Sequence, residues 1–156
     1  MQLTQYSDYS LRILIYLGLK PGGFATISEI TDFYGISRNH LTKIVNNLAN
    51  NDILQTIRGK HGGIRLAHSP NLIRIGNVIR VTEPNFHIAE CFNADSNTCV
   101  ITHACGLRNV LKEGLEGFWA ALDQYTLADI VKGQQLPSPS HQSIVRMNKR
   151  SSIDNA

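Results

Sequence analysis

The sequence predicts a mainly α-helical fold with a small β-hairpin, and three patterns in its 156 residues predict it. In the first 84 residues, apolar side chains recur at helical spacing in short stretches that end at glycine or proline. Two short runs rich in isoleucine and leucine flank a glycine-rich turn, as in a β-hairpin. A longer apolar stripe follows between residues 104 and 125 at heptad-like intervals. We therefore expect a domain of short helices with a hairpin, followed by one long helix.

The first predicted helix follows Ser7 and Asp8, which are both good helix-starting residues, and Pro21-Gly22-Gly23 ends it. Its apolar positions fall at helical spacing: Leu11, Leu14, Ile15 and Leu19. The second helix opens on Thr26-Ile27-Ser28-Glu29, in which threonine and glutamate form a capping box, and it ends at Gly35. A third capped helix follows directly after Gly35. The second and third helices, joined by this glycine turn, predict a helix-turn-helix.

Ser37 is the expected cap of this third helix, whose core positions are Leu41, Ile44, Val45 and Leu48. Its polar face consists of Arg38, Asn39, His40, Thr42, Lys43, Asn46 and Asn47. Arginine can pair with guanine and asparagine with adenine, and the first residues of a recognition helix reach base edges first. The alternative is an amphipathic helix with a solvated polar face.

Ile53-Leu54-Gln55-Thr56-Ile57 and Ile64-Arg65-Leu66 are the predicted strands of the hairpin. Three basic or titratable residues, Arg58, Lys60 and His61, lie on the glycine-rich turn between them. A plain solvated turn accounts for the glycines but not for these side chains, and no helix begins after Gly63 to form a nucleotide phosphate loop. The hairpin therefore reads as the wing of a winged helix, with its tip near DNA phosphates or the minor groove.

A fourth helix is marked by Ile75, Val78, Ile79 and Val81 and is closed by Glu83-Pro84. The heptad-like stripe then comprises Ala104, Leu111, Leu115, Phe118, Leu122 and Tyr125. A long helix with such a seam predicts pairing with its copy in a homodimer, and a two-fold reader matches a palindromic site on double-stranded promoter DNA. Residues 126–131 are predicted to form a short final helix.

The predicted organisation is a winged helix-turn-helix DNA-binding domain at 1–84, a cysteine-containing loop at 85–102, a dimerisation helix with the short final helix at 103–132, and a disordered tail at 133–156. Lys and Arg outnumber Asp and Glu nine to five in the first part, whereas the acidic residues prevail six to three over 85–132. This division suits a nucleic-acid reader joined to an assembly or sensing element. In the tail, Arg146, Lys149 and Arg150 could contact DNA non-specifically. Neither an export signal nor a membrane span is evident, so a cytoplasmic protein is expected.

Cys91, Cys99 and Cys105 are the three cysteines of the chain and lie within fifteen residues. An odd count excludes a closed set of disulfides within one chain. Three thiols on a loop predict a bound metal or a thiol-redox switch, and zinc is one of the metals that they could hold. No Ser/His/Asp grouping or nucleotide motif is present, so an enzyme is not expected.

Several of these motifs together resemble those of the NsrR-type nitric-oxide-responsive repressors, which are relatives of the IscR iron–sulfur regulators. The resemblance covers residues 1 to about 132. The motifs on which the resemblance rests are Met1-Gln2-Leu3-Thr4 with Asp8-Tyr9, Ser37-Arg38-Asn39-His40, Arg58-Gly59-Lys60-His61-Gly62-Gly63, the three cysteines and Tyr125-Thr126-Leu127-Ala128-Asp129.

The resemblance implies a homodimeric repressor that binds DNA while one iron–sulfur cluster per subunit is intact and that nitric oxide releases. By position, the three cysteines would be ligands, with Asp8 of the partner subunit as the fourth. Other iron–sulfur, zinc or thiol-redox regulators, of cluster biogenesis or of oxidative stress, remain as alternatives.

Two departures from the related patterns bear on the cluster. Arg108 stands where the IscR-like pattern has histidine, which favours a [4Fe-4S] over a [2Fe-2S] cluster. Seven residues separate Cys91 from Cys99, more than in some relatives. Glu90, Asp95 and His103 compete with Asp8 as fourth ligand.

Overall fold

Residues 2–137 are described in this computed structural model. Over this range the helices are α1 Gln5–Leu19, α2 Ile27–Tyr34, α3 Arg38–Asn50, α4 Ile75–Thr82, α5 Gly106–Leu122 and α6 Leu127–Val131. The strands are β1 Phe24–Ala25, β2 Leu54–Ile57 and β3 Gly63–Leu66, and they form one antiparallel sheet in the order β1-β3-β2. The mainly α fold with a small β wing is thus confirmed. Of the tail predicted to be disordered from residue 133, residues 138–156 lie outside the described residues, whereas Leu136 in the described part packs against the core.

Helix α1 begins three residues earlier than predicted and buries a different face. Thr4 is its cap, because the Thr4 hydroxyl accepts a hydrogen bond from the backbone N–H of Ser7 at 3.3 Å. The residues of α1 that lie in the core are Ile13, Leu14, Tyr16 and Leu17, so Leu14 alone of the expected face is fully buried. Because α1 packs against α3, α4, α6 and β3, tertiary contacts select its buried side. Leu11 and Ile15 are half-buried at the edge of this core.

The helix-turn-helix forms as predicted. The Thr26 hydroxyl accepts from the backbone N–H of Glu29 at 3.1 Å. The Glu29 carboxylate accepts hydrogen bonds from the Tyr16 hydroxyl at 2.6 Å and from the Lys20 ammonium, and a hydrogen bond from the Thr26 backbone also contributes to lowering its pKa. Gly35 ends α2 in the left-handed conformation (φ 68°), which glycine adopts without steric cost. The four predicted core residues of α3 are all buried.

Strand β1 was not predicted, and it completes the sheet. Ala25 pairs with Ile64 and Phe24 with Arg65. A Cβ atom at Gly63 would lie 2.5 Å from the Ala25 carbonyl oxygen and 2.5 Å from the Phe24 ring. Glycine at position 63 therefore allows β1 to approach β3.

The chain leaves the winged-helix core at α5 and returns to it at α6. Helix α5 contains no fully buried residue among its described side chains, whereas Leu127 of α6 is completely buried in the core. Backbone hydrogen bonds from Leu127 N–H to the Ile73 carbonyl (2.8 Å) and from Ile75 N–H to the Tyr125 carbonyl (3.0 Å) fix the return. The division into parts at 84, 102 and 132 stays a prediction.

An ion pair fastens the C-terminal end of α5 to α4. The Arg80 guanidinium donates two hydrogen bonds of 2.6 Å to the Asp123 carboxylate, and these bonds lower the pKa of Asp123. Arg80 also lies over the Trp119 ring at 4.3 Å. A Cβ atom at Gly76 would lie 2.0 Å from an Asp123 carboxylate oxygen, so glycine leaves room for the pair.

Candidate nucleic-acid interface and cysteine loop

The first turn of α3 presents the residues predicted to read DNA. Ser37, Arg38, Asn39, His40 and Lys43 are all exposed. Ser37 has a structural role as well, because its hydroxyl accepts from the His40 N–H at 3.3 Å and caps the helix. The Arg38 guanidinium donates to the Ser28 hydroxyl of α2 at 3.2 Å, which restrains this side chain at the start of the helix.

Side-chain contacts with α1 and α4 position helix α3. The Tyr6 hydroxyl donates to the Lys43 carbonyl at 3.2 Å, and the Tyr9 ring meets the His40 ring edge-on, with centroids 6.2 Å apart. Asn47, which the sequence placed on the polar face with the DNA-reading residues, is half-buried and donates to the Val81 carbonyl of α4 at 3.1 Å. Its amide is used inside the domain, so the expected DNA-facing position for Asn47 was wrong.

The wing tip carries Arg58, Lys60 and His61, all exposed. A hydrogen bond of 2.9 Å from Gly62 N–H to the Gly59 carbonyl closes its turn. A Cβ atom at Gly62 would lie 2.6 Å from the Ile57 carbonyl oxygen, so this position requires glycine for the observed backbone. The tip therefore offers two permanent positive charges and one titratable ring on a tight turn.

The three cysteines are free thiols at the base of α5. Cys91 and Cys105 are half-buried, Cys99 is exposed, and Cys105 lies at the cap position of α5. Between residues 2 and 137, no group of three or more His, Cys, Asp or Glu side chains lies close enough together to hold a metal ion. The structure thus brings the cysteine segments together through hydrogen bonds, without assembling a finished set of ligands.

Two contacts join those segments. The Glu90 carboxylate accepts hydrogen bonds from both the backbone N–H and the hydroxyl of Thr98, each at 2.6 Å, and these bonds lower the pKa of Glu90. Arg108, in the first turn of α5, donates to the Cys91 carbonyl at 3.3 Å. The residue that replaces the histidine of the IscR-like pattern therefore ties Cys91 to the helix that follows Cys105.

The turn after Cys99 is also hydrogen-bonded. The Asn97 side-chain oxygen accepts from Cys99 N–H at 3.1 Å, and the Thr102 hydroxyl donates to the Cys99 carbonyl at 2.8 Å. Val100 and Ile101 follow Cys99 and are exposed apolar residues, Val100 at 95%. Sequence reasoning did not find these bonds, although the Asn and Thr residues between the cysteines are typical of such turns.

Asp8 lies on the exposed side of the first turn of α1. Its carboxylate accepts two bonds from Arg12, at 3.0 Å to Nε and 2.7 Å to Nη2, and both side chains are 42% exposed. The Arg12 guanidinium also lies over the Tyr9 ring at 5.6 Å. Asp8 is not grouped with the cysteines of its own chain. Its rivals Glu90, Asp95 and His103 are all exposed, and the Glu90 carboxylate is hydrogen-bonded to Thr98.

The Rrf2 family model, described as iron-dependent transcriptional regulators, matches residues 3–133. The chain is 49% identical over 136 residues to the HTH-type transcriptional regulator NsrR of Bacillus subtilis (strain 168), covering 86% of this chain and 93% of that protein. It is 44% identical over 135 residues to the regulator of the same name from Halalkalibacterium halodurans, covering 86% and 92%. The resemblance inferred from the motifs is confirmed.

Solved structures agree on the fold. Staphylococcus aureus CymR in its oxidized form superposes with a TM-score of 0.70 at 20% identity, covering 87% of this chain and all of that one. T. potens IscR superposes with a TM-score of 0.68 at 20% identity, covering 90% and 96%. Across residues 2–137 there is no helix with the length and apolar character needed to cross a membrane. The family and the relatives are regulators of transcription and not enzymes, which makes DNA the partner. The chain belongs to the Rrf2 family of transcriptional regulators.

Proposed function

We propose that this chain is a nitric-oxide-sensing repressor, which binds palindromic operator DNA as a homodimer while each subunit holds an intact iron–sulfur cluster. The observation that carries the proposal is the joining of three reduced cysteine segments at the base of α5, in a chain whose family is described as iron-dependent. The cytoplasm, where thiols stay reduced, is the compartment that fits this chemistry.

The donor chemistry fits an iron–sulfur cluster. Thiolates are the usual ligands of such clusters, and four protein donors are normal. Cys91, Cys99 and Cys105 would supply three, and a carboxylate the fourth, which favours [4Fe-4S] over [2Fe-2S] in the absence of a histidine at position 108. When bound, the cluster would supply iron that reacts with nitric oxide.

Asp8 of the partner subunit is the proposed fourth ligand. In the free chain the Asp8 carboxylate forms an ion pair with the Arg12 guanidinium and remains 42% exposed, so it is accessible to a second subunit. To bind iron it would have to give up part of its pairing with Arg12. Because Arg12 lies over Tyr9 and Tyr9 meets His40 of α3, Asp8 is linked to α3 through three successive contacts.

Helix α5 supports the proposed dimer. Leu107 and Val110 are 65% and 64% exposed, and Ala121 is exposed on the same face. Gly114 and Gly117 lie between them at helical spacing, with open space where a Cβ atom would stand. A second helix could approach this face closely. The predicted seam of Leu111, Leu115, Phe118 and Leu122 is half-buried within the single chain.

The proposal is tested by preparing the full chain without oxygen and measuring iron, sulfide, visible absorption and native mass. A brown dimer with stoichiometric iron and sulfide that loses operator affinity on titration with nitric oxide is the expected result. Cys99→Ala and Cys105→Ala should remain folded dimers without the cluster and with weak operator binding. Intact visible absorption in either variant would contradict the ligand assignment.

A zinc or thiol-redox switch on the same DNA reader is the second candidate, and the observation that favours it is the exposure of the free Cys99 thiol. Colourless protein with one zinc per subunit, or operator binding that responds to thiol oxidants and not to nitric oxide, would support that candidate.

A further inference from the structure

We propose that Glu90 is a positioning residue for the cysteine site: its carboxylate clasps Thr98 and so holds Cys91 and Cys99 side by side at the base of a long loop. This inference rests on the proposed function, because it assigns Glu90 a role in assembling the cluster ligands. It also takes Glu90 out of the set of rival fourth ligands.

The clasp joins the residues that immediately precede two ligands. Glu90 comes before Cys91, and Thr98 comes before Cys99. Both hydrogen bonds, from the Thr98 N–H and from its hydroxyl, end on the same carboxylate oxygen, Glu90 Oε1, at 2.6 Å. Two donors on one ionised oxygen form charge-assisted bonds, which are stronger than neutral ones. The seven residues between the cysteines therefore close into a loop whose ends are fastened at the cysteine positions.

The loop itself is folded to match. The Glu90 backbone carbonyl accepts from Asn93 N–H at 3.0 Å, and the Asn93 side chain accepts from Asp95 N–H at 3.1 Å. These turns fold the chain back from Glu90 toward Thr98. The number of residues in the loop between Glu90 and Thr98 can thus vary without separating the cysteines. This accounts for how the chain accommodates seven residues between Cys91 and Cys99. A preformed site loses less conformational entropy when a ligand binds than a mobile one does.

Glu90 acts through Thr98 and not as a donor to iron. Its Oε1 atom is already occupied by two hydrogen bonds in the free chain. Glu90 and Asp95 are both exposed, but the Asp95 carboxylate makes no side-chain hydrogen bond to residues 2–137. Asp95 is therefore the matched control for loss of a loop carboxylate.

The first test uses the metal-free, reduced full chain. Amide hydrogen exchange of Thr98 is measured by NMR in wild type, Glu90→Ala, Glu90→Gln and Asp95→Ala. We expect exchange at Thr98 to quicken about five- to tenfold in Glu90→Ala, which is the size expected for loss of a net hydrogen bond. Glu90→Gln keeps an acceptor oxygen and should fall between, and Asp95→Ala should match wild type.

The second test uses protein reconstituted without oxygen from ferrous iron and sulfide. The rate at which an iron chelator bleaches the visible absorption should rise several-fold in Glu90→Ala. It should rise less in Glu90→Gln, and it should also rise in Thr98→Val, which loses the hydroxyl donor. Asp95→Ala should bleach at the wild-type rate.

Unchanged Thr98 exchange and unchanged bleaching in Glu90→Ala would overturn the inference. Equal effects in Glu90→Ala and Glu90→Gln, with no effect in Thr98→Val, would also overturn it, because that pattern marks a direct carboxylate ligand. If wild type itself takes up no iron and sulfide, the proposed function fails and the role of the clasp fails with it. In that case the amide exchange still reports separately whether the clasp exists.

Discussion

Replacing Lys60 by alanine at the wing tip should reduce the salt dependence of operator binding without changing sequence preference. The Lys60 side chain is exposed and makes no hydrogen bond or ion pair within residues 2–137, so its loss should not disturb the fold. Each phosphate neutralised by a protein cation contributes ~0.9 to the slope of log K against log salt. The proposed dimer would carry two wings, so the slope should fall by about 1.8 if each Lys60 meets one phosphate.

Arg38→Ala should behave differently, because Arg38 is the first residue of α3 and the first residues of a recognition helix reach base edges. A bidentate arginine–guanine contact contributes about 1–3 kcal/mol of discrimination, which corresponds to about a 5- to 150-fold loss at each half-site. That loss should fall on the operator and spare a scrambled duplex. Lys60→Ala should instead weaken both duplexes alike.

The assay is fluorescence anisotropy at four salt concentrations, with an operator selected by the protein from random duplexes and a scrambled control. Lys112→Ala is the matched control, since Lys112 lies on α5 and pairs with Glu116 at 3.7 Å. An unchanged slope in Lys60→Ala, or an equal loss on both duplexes in Arg38→Ala, would refute the division of roles between wing and helix.

Three further predictions concern the scaffold. Leu127→Ala removes a fully buried side chain and should destabilise the protein by about 2–5 kcal/mol in urea unfolding, whereas Leu72→Ala, at a position that is 68% exposed, should change stability by less than about 0.5 kcal/mol; similar losses would contradict the packing of α6. Gly62→Ala should weaken binding to both duplexes while leaving urea stability near wild type, because its Cβ would collide with the Ile57 carbonyl and displace the wing; unchanged affinity would show that the wing shape does not matter. Burial opposes ionisation of Glu29, but the hydrogen bonds from Lys20 and Tyr16 prevail and lower the pKa of Glu29, so the ionised carboxylate should stabilise the fold at neutral pH and lose this effect as pH falls through the lowered pKa. The difference in unfolding free energy between wild type and Glu29→Gln should therefore shrink in acid. A difference that stays constant or widens would contradict this assignment.

The elements that the sequence predicted well are those specified by neighbouring residues. Ser37 and Gly35 set the ends of α3 and α2, and the core positions of α3 follow from helical spacing alone. Strand β1 has two residues and exists through its pairing with β3, some forty residues away, so no local pattern could announce it. The buried face of α1 was missed for the same reason, since α1 is enclosed by elements from across the chain.

The candidate site divides in the same way. Exposure of Arg38, His40 and Lys60 could be read from the polar faces of α3 and the wing. The inward turn of Asn47 toward Val81 could not, because it depends on where α4 docks. The hydrogen bonds between Glu90 and Thr98 depend on the path of the loop that joins them, and the spacing of residues in the sequence does not predict that path.

Operator affinity of one anaerobic preparation, measured before and after its iron is stripped and again after reconstitution, tests the central claim most directly. We expect tight binding with iron and sulfide present, a large loss of affinity on stripping, and recovery on reconstitution. Anaerobic protein without iron, or an affinity that does not change through the cycle, would contradict that claim.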